Sequence, residues 1–178
     1  MFSLPNSVSI NGIEYRIRTD FRVILEIFVM LDDPDLKDAD KTEALLRMFY
    51  VERPPDAEEA VRAFTDFVDP RHGSQDKKSS GRLLDWLQDF DLMVAPINHI
   101  LGFECRSVEY LHWRTFLSAY LEIPPESVFA RVLRIREKLR AGKKLEKNER
   151  SWYNKNRDLV HLKPKFSRAE EELIEAWT

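Results

Sequence analysis

Apolar residues recur at spacings of three and four along most of this chain, and that period constrains its fold more than any other feature. Leu83, Leu87, Phe90, Val94, Ile97 and Leu101 form one such series, and Phe21, Ile24, Leu25, Phe28 and Leu31 form another. On a helix with 3.6 residues per turn, each series lines one side, which predicts amphipathic helices with a buried face. Only 5 glycines stand among 178 residues, too few for the tight turns of an all-β fold. The expected class is mainly α, with about six to eight helices and one short β-hairpin at the N-terminus.

The hairpin is read from VSINGIEYRI at Val8–Ile17. Asn11-Gly12 supplies two residues that tolerate positive φ, as a type I′ turn requires. Folding about that turn pairs Ile10 with Ile13 and Val8 with Tyr15. All four side chains then share a face that must pack on something, because a lone hairpin is marginal.

Helices are expected over about 20–31, capped by Thr19 or Asp20; over 41–51; and from the Asp56 cap to residue 68, with Glu59 placed for a capping box. Residues 69–81 (DPRHGSQDKKSSG) lack apolar periodicity and read as a flexible loop. A long helix is expected over 82–101, kinked or interrupted at Pro96, which has no amide donor. Further helices are expected over 107–121, 126–140 and the basic stretch 145–158. Ser167 and Glu170 then match a capping box for a last helix, Arg168–Trp177. The expected organisation is a hairpin-plus-helix region over 1–68, the loop 69–81, a helical core over 82–160 and a helical tail over 161–178.

Charge is distributed unevenly. Arg131 to Arg168 holds 14 Lys/Arg against 4 Asp/Glu, a net of +10, which leaves −13 on the rest of a chain whose overall charge is −3. Such a split suits a nucleic-acid surface, an acidic protein partner, self-association through opposite patches, or simply a solvated basic helix face. Trp152, Tyr153 and Phe166 lie among these cations, a composition that can stack on bases. No recognition-helix or aromatic-sheet pattern accompanies them, so nucleic-acid binding is not the favoured reading. The single cysteine, Cys105, excludes an internal disulfide and suits a reducing cytosol. The N-terminal residues do not read as a secretion signal, and no run of apolar residues is long enough to span a bilayer. The expected location is therefore the cytoplasm, with no membrane partner.

Signatures of catalysis are absent: there is no glycine-rich phosphate loop, Walker motif, GxSxG elbow or HExxH. His99, Cys105 and His112 fit no zinc spacing, so no metal and no cofactor are expected. Asp89 and Asp91 stand two residues apart and point different ways on a helix, which disfavours a shared acid–base centre. Charge at a helix start or on the surface is the expected role of these carboxylates. Taken together, the residues describe a helical module that binds and does not catalyse.

One segment is more specific. FDLMVAPINHILGFECRSVEYLHWRTFLSAYLEIPPESVFARVLRIREKL resembles a family of small proteins from prophages and tailed phages of Gram-positive bacteria, called after a phage's fifteenth gene product. The resemblance is carried by the acidic Asp91, Gly102, Leu111-His112-Trp113 with Phe116, Pro125-Glu126, and Ile135-Arg136. It is clearest over residues 82–160, and Pro96 departs from a pattern that usually has an unbroken helix there. The resemblance implies a tail assembly chaperone-like protein whose client is the phage tape-measure protein, with the tail tube protein as a further partner, and the charge split would suit copies of the chain associating along such a client. A structural tail or head–tail component and a nucleic-acid-binding phage regulator are the alternatives. His112, Trp113, Phe116, Tyr120 and Arg136 are the candidate partner-binding residues. Packing into the core is the simpler role for the His112-Trp113 pair, and direct partner contact is the alternative.

Overall fold

Asn11 and Gly12 turn the chain as their chemistry allows. In the computed structural model, which describes residues 3–69 and 82–177, β1 (Ser7–Ile10) pairs antiparallel with β2 (Ile13–Arg16) in the expected register, Ile10 opposite Ile13 and Val8 opposite Tyr15. Asn11 and Gly12 take φ of 51° and 80°, the two positive values a type I′ turn needs. Burial of the shared face is uneven: Ile10 is enclosed, whereas Ile13 is 58% exposed. The reason is that β1 is the strand packed on helix α3 (Ala57–Val68), which leaves the residue just past the turn uncovered.

Nine helices occur among the described residues. The other eight are α1 (Phe21–Leu31), α2 (Asp38–Phe49), α4 (Trp86–Leu101), α5 (Trp113–Leu121), α6 (Val128–Arg140), α7 (Lys147–Lys155), α8 (Arg157–Val160) and α9 (Arg168–Ala176). Their starts follow the capping chemistry in the sequence. Asp20, Asp56, Asp85, Ser127 and Ser167 each accept an amide of the first turn through the side chain, which satisfies a donor that has no intrahelical partner. Ser167 and Glu170 form the expected capping box. The loop expected over 69–81 lies, beyond Asp69, outside the described residues. Among the described residues no helix is long and apolar enough to cross a membrane.

Four helix expectations are corrected. The helix expected from residue 107 begins only at Trp113, because residues 110–113 are held in extended pairing. Phe21 N–H donates to Leu111 O at 2.9 Å, Trp113 N–H donates to Thr19 O at 2.6 Å, and Asp20 bridges to His112. The helix expected over 41–51 runs over Asp38–Phe49 instead, and the chain past it turns extended where Tyr50 bridges to Ile17. Pro96 does not interrupt α4. Its cost of about 3 kcal/mol is outweighed by burying Met93, Val94 and Ile97 on either side of it, each contributing roughly 1.5–3 kcal/mol. Finally, the helix expected over 145–158 breaks at Asn156 into α7 and α8.

The described chain forms two compact units, interleaved in sequence. The first comprises residues 3–69, 109–117 and 165–177, and the second comprises residues 82–108 and 118–164. In the first unit α1 packs on α2, α2 on α3, and α3 on the hairpin. Its core is aromatic: Phe21 stacks on Phe116 at 4.5 Å, while Phe49 meets Phe64 edge-on at 5.0 Å. Arg18 donates to the carbonyls of Arg47, Met48 and Tyr50 at the end of α2, where a cation complements the helix dipole. In the second unit α6 packs on α4 and on α8, and α7 on α8.

Candidate functional site

The five residues singled out from the sequence fall in both units: His112, Trp113 and Phe116 in the first, Tyr120 and Arg136 in the second. Four of them are interior, and their polar atoms are occupied by their own chain.

His112 and Trp113 close the entrance to α5. Arg114 N–H donates to His112 Nδ1 at 3.0 Å, so Nδ1 carries no proton in that contact. Nε2 then carries the ring proton and donates to Pro5 O at 2.9 Å. The ring thus ties the segment ahead of the hairpin to the start of α5. Trp113 Nε1–H donates to Val68 O at 3.2 Å, and its ring meets Phe28 at 5.7 Å and Phe116 at 5.9 Å. Asp20 completes the clasp, accepting from Arg22 N–H with one oxygen and from Leu111 N–H with the other. Leu-His-Trp opens α5 and closes the core of the first unit.

Arg136 forms the equivalent fastening in the second unit. It is buried on the apolar face of α6 beside Phe129, Val132 and Ile135, and each of its five N–H groups has an acceptor. Nη1 donates to Asp89 Oδ2 at 2.6 Å and to Leu83 O at 2.9 Å. Nη2 donates to Asp89 Oδ1 at 2.9 Å and to Leu159 O at 2.8 Å. Nε donates to Val160 O at 2.7 Å. The break at Asn156 is what brings the last two carbonyls within reach. Asp89 Oδ2 also accepts from Asp85 N–H at 2.9 Å, so the carboxylate is shared between the guanidinium and the cap of α4.

Asp89 stands in the first turn of α4, as expected of a helix-start charge, but it is not a surface charge: it is fully buried, while Asp91 is exposed. Leu87, expected inside, is exposed instead. Pairing with Arg136 turns α4 so that Asp89, Met93 and Ile97, at i, i+4 and i+8, form the inward stripe. A signal for this pair was present in each helix. Asp89 leads that stripe, and Arg136 extends the series Phe129, Val132; a charge on each apolar face calls for a partner of opposite sign.

Tyr120 differs from the other four. Its ring is held by Trp86 at 5.8 Å and Phe129 at 5.9 Å, yet it is only half-buried, and burial next to Asp89 raises its hydroxyl pKa. It stands at the start of a surface ridge. Leu121 is 46% exposed and Val128 47% exposed, and Pro124 and Pro125 between them are exposed as well. The connection between α5 and α6 is a turn closed by Ser127 N–H donating to Pro124 O at 3.0 Å, and its two prolines restrict the alternatives. The ridge runs from the end of α5 through the turn to the start of α6, with exposed Glu122 and Glu126 among its apolar residues, and sequence periodicity did not find it because exposed residues add to no buried stripe.

At the far end of α4, Gly102 takes φ 78° and ends the helix. Beyond it Glu104 accepts from Arg106 N–H and Nε–H and from Asn98 Nδ2–H, while Asn98 Oδ1 accepts from Cys105 N–H. Hydrogen bonds from the Arg106 side chain and backbone hold the Glu104 carboxyl down to about 2. A depressed carboxyl pKa stabilises the folded loop above its unfolded value of about 4.3, and that contribution is lost as pH falls through about 2. The carboxyl carbon of Glu104 is expected to titrate near 2 by NMR, and an ordinary midpoint would mean the Arg106 fork is open in solution.

His99 and Cys105 belong to the second unit and His112 to the first. Cys105 is buried, His99 is exposed, and among the described residues no three His, Cys, Asp or Glu side chains are grouped to hold a metal ion.

Compared with known proteins, residues 2–162 match the sequence model of one family, described as Bacteriophage Gp15 protein. No curated protein and no solved structure matches the chain.

Proposed function

The chain belongs to the bacteriophage Gp15 protein family, and from that premise we propose that it is a tail assembly chaperone-like protein that binds a tape-measure protein in the host cytoplasm while the tail is built. It works by contact alone, with no cofactor and no catalysed step.

The observation that supports this most is the ridge of Tyr120, Leu121, Pro124, Pro125 and Val128. A long helical client presents rows of apolar side chains that aggregate when left in water. A rigid apolar ridge covers a short length of such a row and loses little conformational freedom in doing so. Leu121 and Val128 are already about half covered, so each contributes roughly 0.7–1.5 kcal/mol on full burial, against an association cost of about 4 kcal/mol or more. One copy therefore holds its client weakly, and many copies along the client hold it together. Weak individual contacts suit a chaperone that tail tube subunits must displace.

Co-expression with the client tests this reading. The wild-type chain is expected to co-purify with the tape-measure protein and raise its solubility; failure on both counts removes the proposal. Leu121→Glu with Val128→Glu is expected to reduce client recovery at least about tenfold, since placing two carboxylates in an apolar contact costs more than 1.4 kcal/mol. Both side chains are exposed, so thermal stability should not change. Purified virions should lack the protein; stoichiometric amounts there would instead indicate a tail subunit.

A further inference from the structure

The last helix, α9, and its C-cap residue Trp177 carry apolar side chains that are largely exposed. Trp177 is 89% exposed, Leu173 is 61% exposed, and Ile174 is also exposed. On a helical wheel these three share one side, and Glu172 and Glu175 occupy the other. Its base is fixed to the first unit: Lys165 Nζ donates to Asp32 Oδ2 at 2.7 Å, and Arg168 N–H donates to Asp35 Oδ1 at 2.9 Å. The apolar side chains lie beyond these tethers, in the last two turns. A helix of 9 residues is shorter than the roughly 12–15 that a helix needs to persist by propensity alone, so a surface that covers its apolar side stabilises it.

The second unit offers a surface of opposite charge. At the corner between α6 and α7, Leu139, Arg140, Lys143, Lys144 and Lys147 are all exposed. Gly142 turns the chain there with φ 64°, and Lys138 fixes the corner by donating to Glu149 at 2.6 Å. Beside it lies an open depression of about 500 Å³, lined by Glu146, Lys147, Asn148 and Ser151. The depression is shallow and open to solvent, so an indole ring can lie across it.

We propose that α9 of one copy docks on the α6–α7 corner of a second copy, with Trp177 seated in the depression, so that chains associate head to tail. The apolar side of α9 makes the contact. Glu172, Glu175 and the negative end of the helix dipole set the attraction toward the lysines at longer range. Because the two surfaces differ, each copy keeps one of each after pairing, and the contact extends into a row or ring. A row of copies would supply the multiple weak contacts that an extended client requires, but this interface needs no client. Its failure therefore leaves the client reading untouched.

Analytical ultracentrifugation of the full chain tests the interface. A contact made by one short helix is expected to be weak, with a Kd of roughly 1–100 µM, so mass should rise above the monomer with concentration. Association should weaken as salt is raised from about 50 mM to about 500 mM. Leu173→Ser with Trp177→Ala removes the knob, and Lys143→Glu with Lys144→Glu and Lys147→Glu reverses the corner. Each variant alone is expected to stay monomeric with an unchanged melting curve, since every substituted residue is exposed, and to lose at most the helical signal of the 9-residue α9 from its circular dichroism spectrum. An equimolar mixture of the two retains one intact interface per pair and should form a 1:1 dimer that grows no further. A wild-type chain that is monomeric at about 100 µM in low salt overturns the proposal. So does a mixture that stays monomeric, as it would if α9 docked within its own chain.

Discussion

Arg136→Met is expected to produce the largest loss of stability of any single substitution in the second unit, about 3–5 kcal/mol, because it breaks a buried ion pair from one side. The substitution keeps the aliphatic stem and its packing, so the loss reads the polar contacts. It leaves the Asp89 carboxylate buried with only an amide of the α4 cap as partner, and it orphans the carbonyls of Leu83, Leu159 and Val160. Asp89→Asn is expected to cost less, since the side chain keeps its shape and one oxygen acceptor. A double-mutant cycle between the two should give a coupling energy of roughly 1–3 kcal/mol. Hydrogen exchange locates the effect. The amides of Val160 and His161 bond to Asn156 O and Arg157 O within α8 and should exchange fastest in the variant, because α8 is only 4 residues long and is held by Arg136. A total loss below about 1 kcal/mol would mean that water replaces the guanidinium without penalty.

Trp113→Ala is expected to be the most damaging substitution in the first unit. Truncating an enclosed tryptophan costs about 3–5 kcal/mol through lost burial and the cavity left behind. Trp113 is only 2% exposed and touches Phe28 and Phe116, so several aromatic contacts fail together. Trp113→Phe retains most of the volume and removes the hydrogen bond to Val68 O, for a smaller loss of roughly 0.5–1.5 kcal/mol plus a partial cavity term. Urea unfolding of the three proteins gives this order directly. The same pair addresses the role of Leu-His-Trp: a folded Trp113→Phe variant should bind client as well as the wild type does. Loss of binding without loss of stability would return Trp113 to the contact surface.

Local chemistry was legible wherever neighbouring residues supply both partners. The Asn11-Gly12 turn, the pairing of Val8 with Tyr15, the caps at Asp20 and Asp56 and the box at Ser167 and Glu170 all depend on residues a few positions apart. The start of α5 was not legible, because residues 107–112 carry helix-compatible side chains, while the stretch just before the helix is held extended by groups about ninety positions away. Of the candidate site, Tyr120 was read from the sequence and the ridge beside it was not, since exposure between two helices leaves no period. His112, Trp113, Phe116 and Arg136 stand out in the sequence equally well whether they fasten a core or grip a partner.

The sequence by itself determined that this chain is mainly helical, where most of its helices begin and end, and that it belongs with phage proteins. Short-range hydrogen bonds and apolar periods decide the first two, and ordered motifs decide the third. Only the tertiary structure decided which side of α4 faces inward and which residues remain at the surface. Both depend on the Asp89–Arg136 pair and on the Thr19–Trp113 strand contact, whose partners lie 47 residues and about ninety residues apart. A charge on an apolar face says locally that a partner is needed, but not which one, because the energy that fixes the contact exists only once the chain has folded.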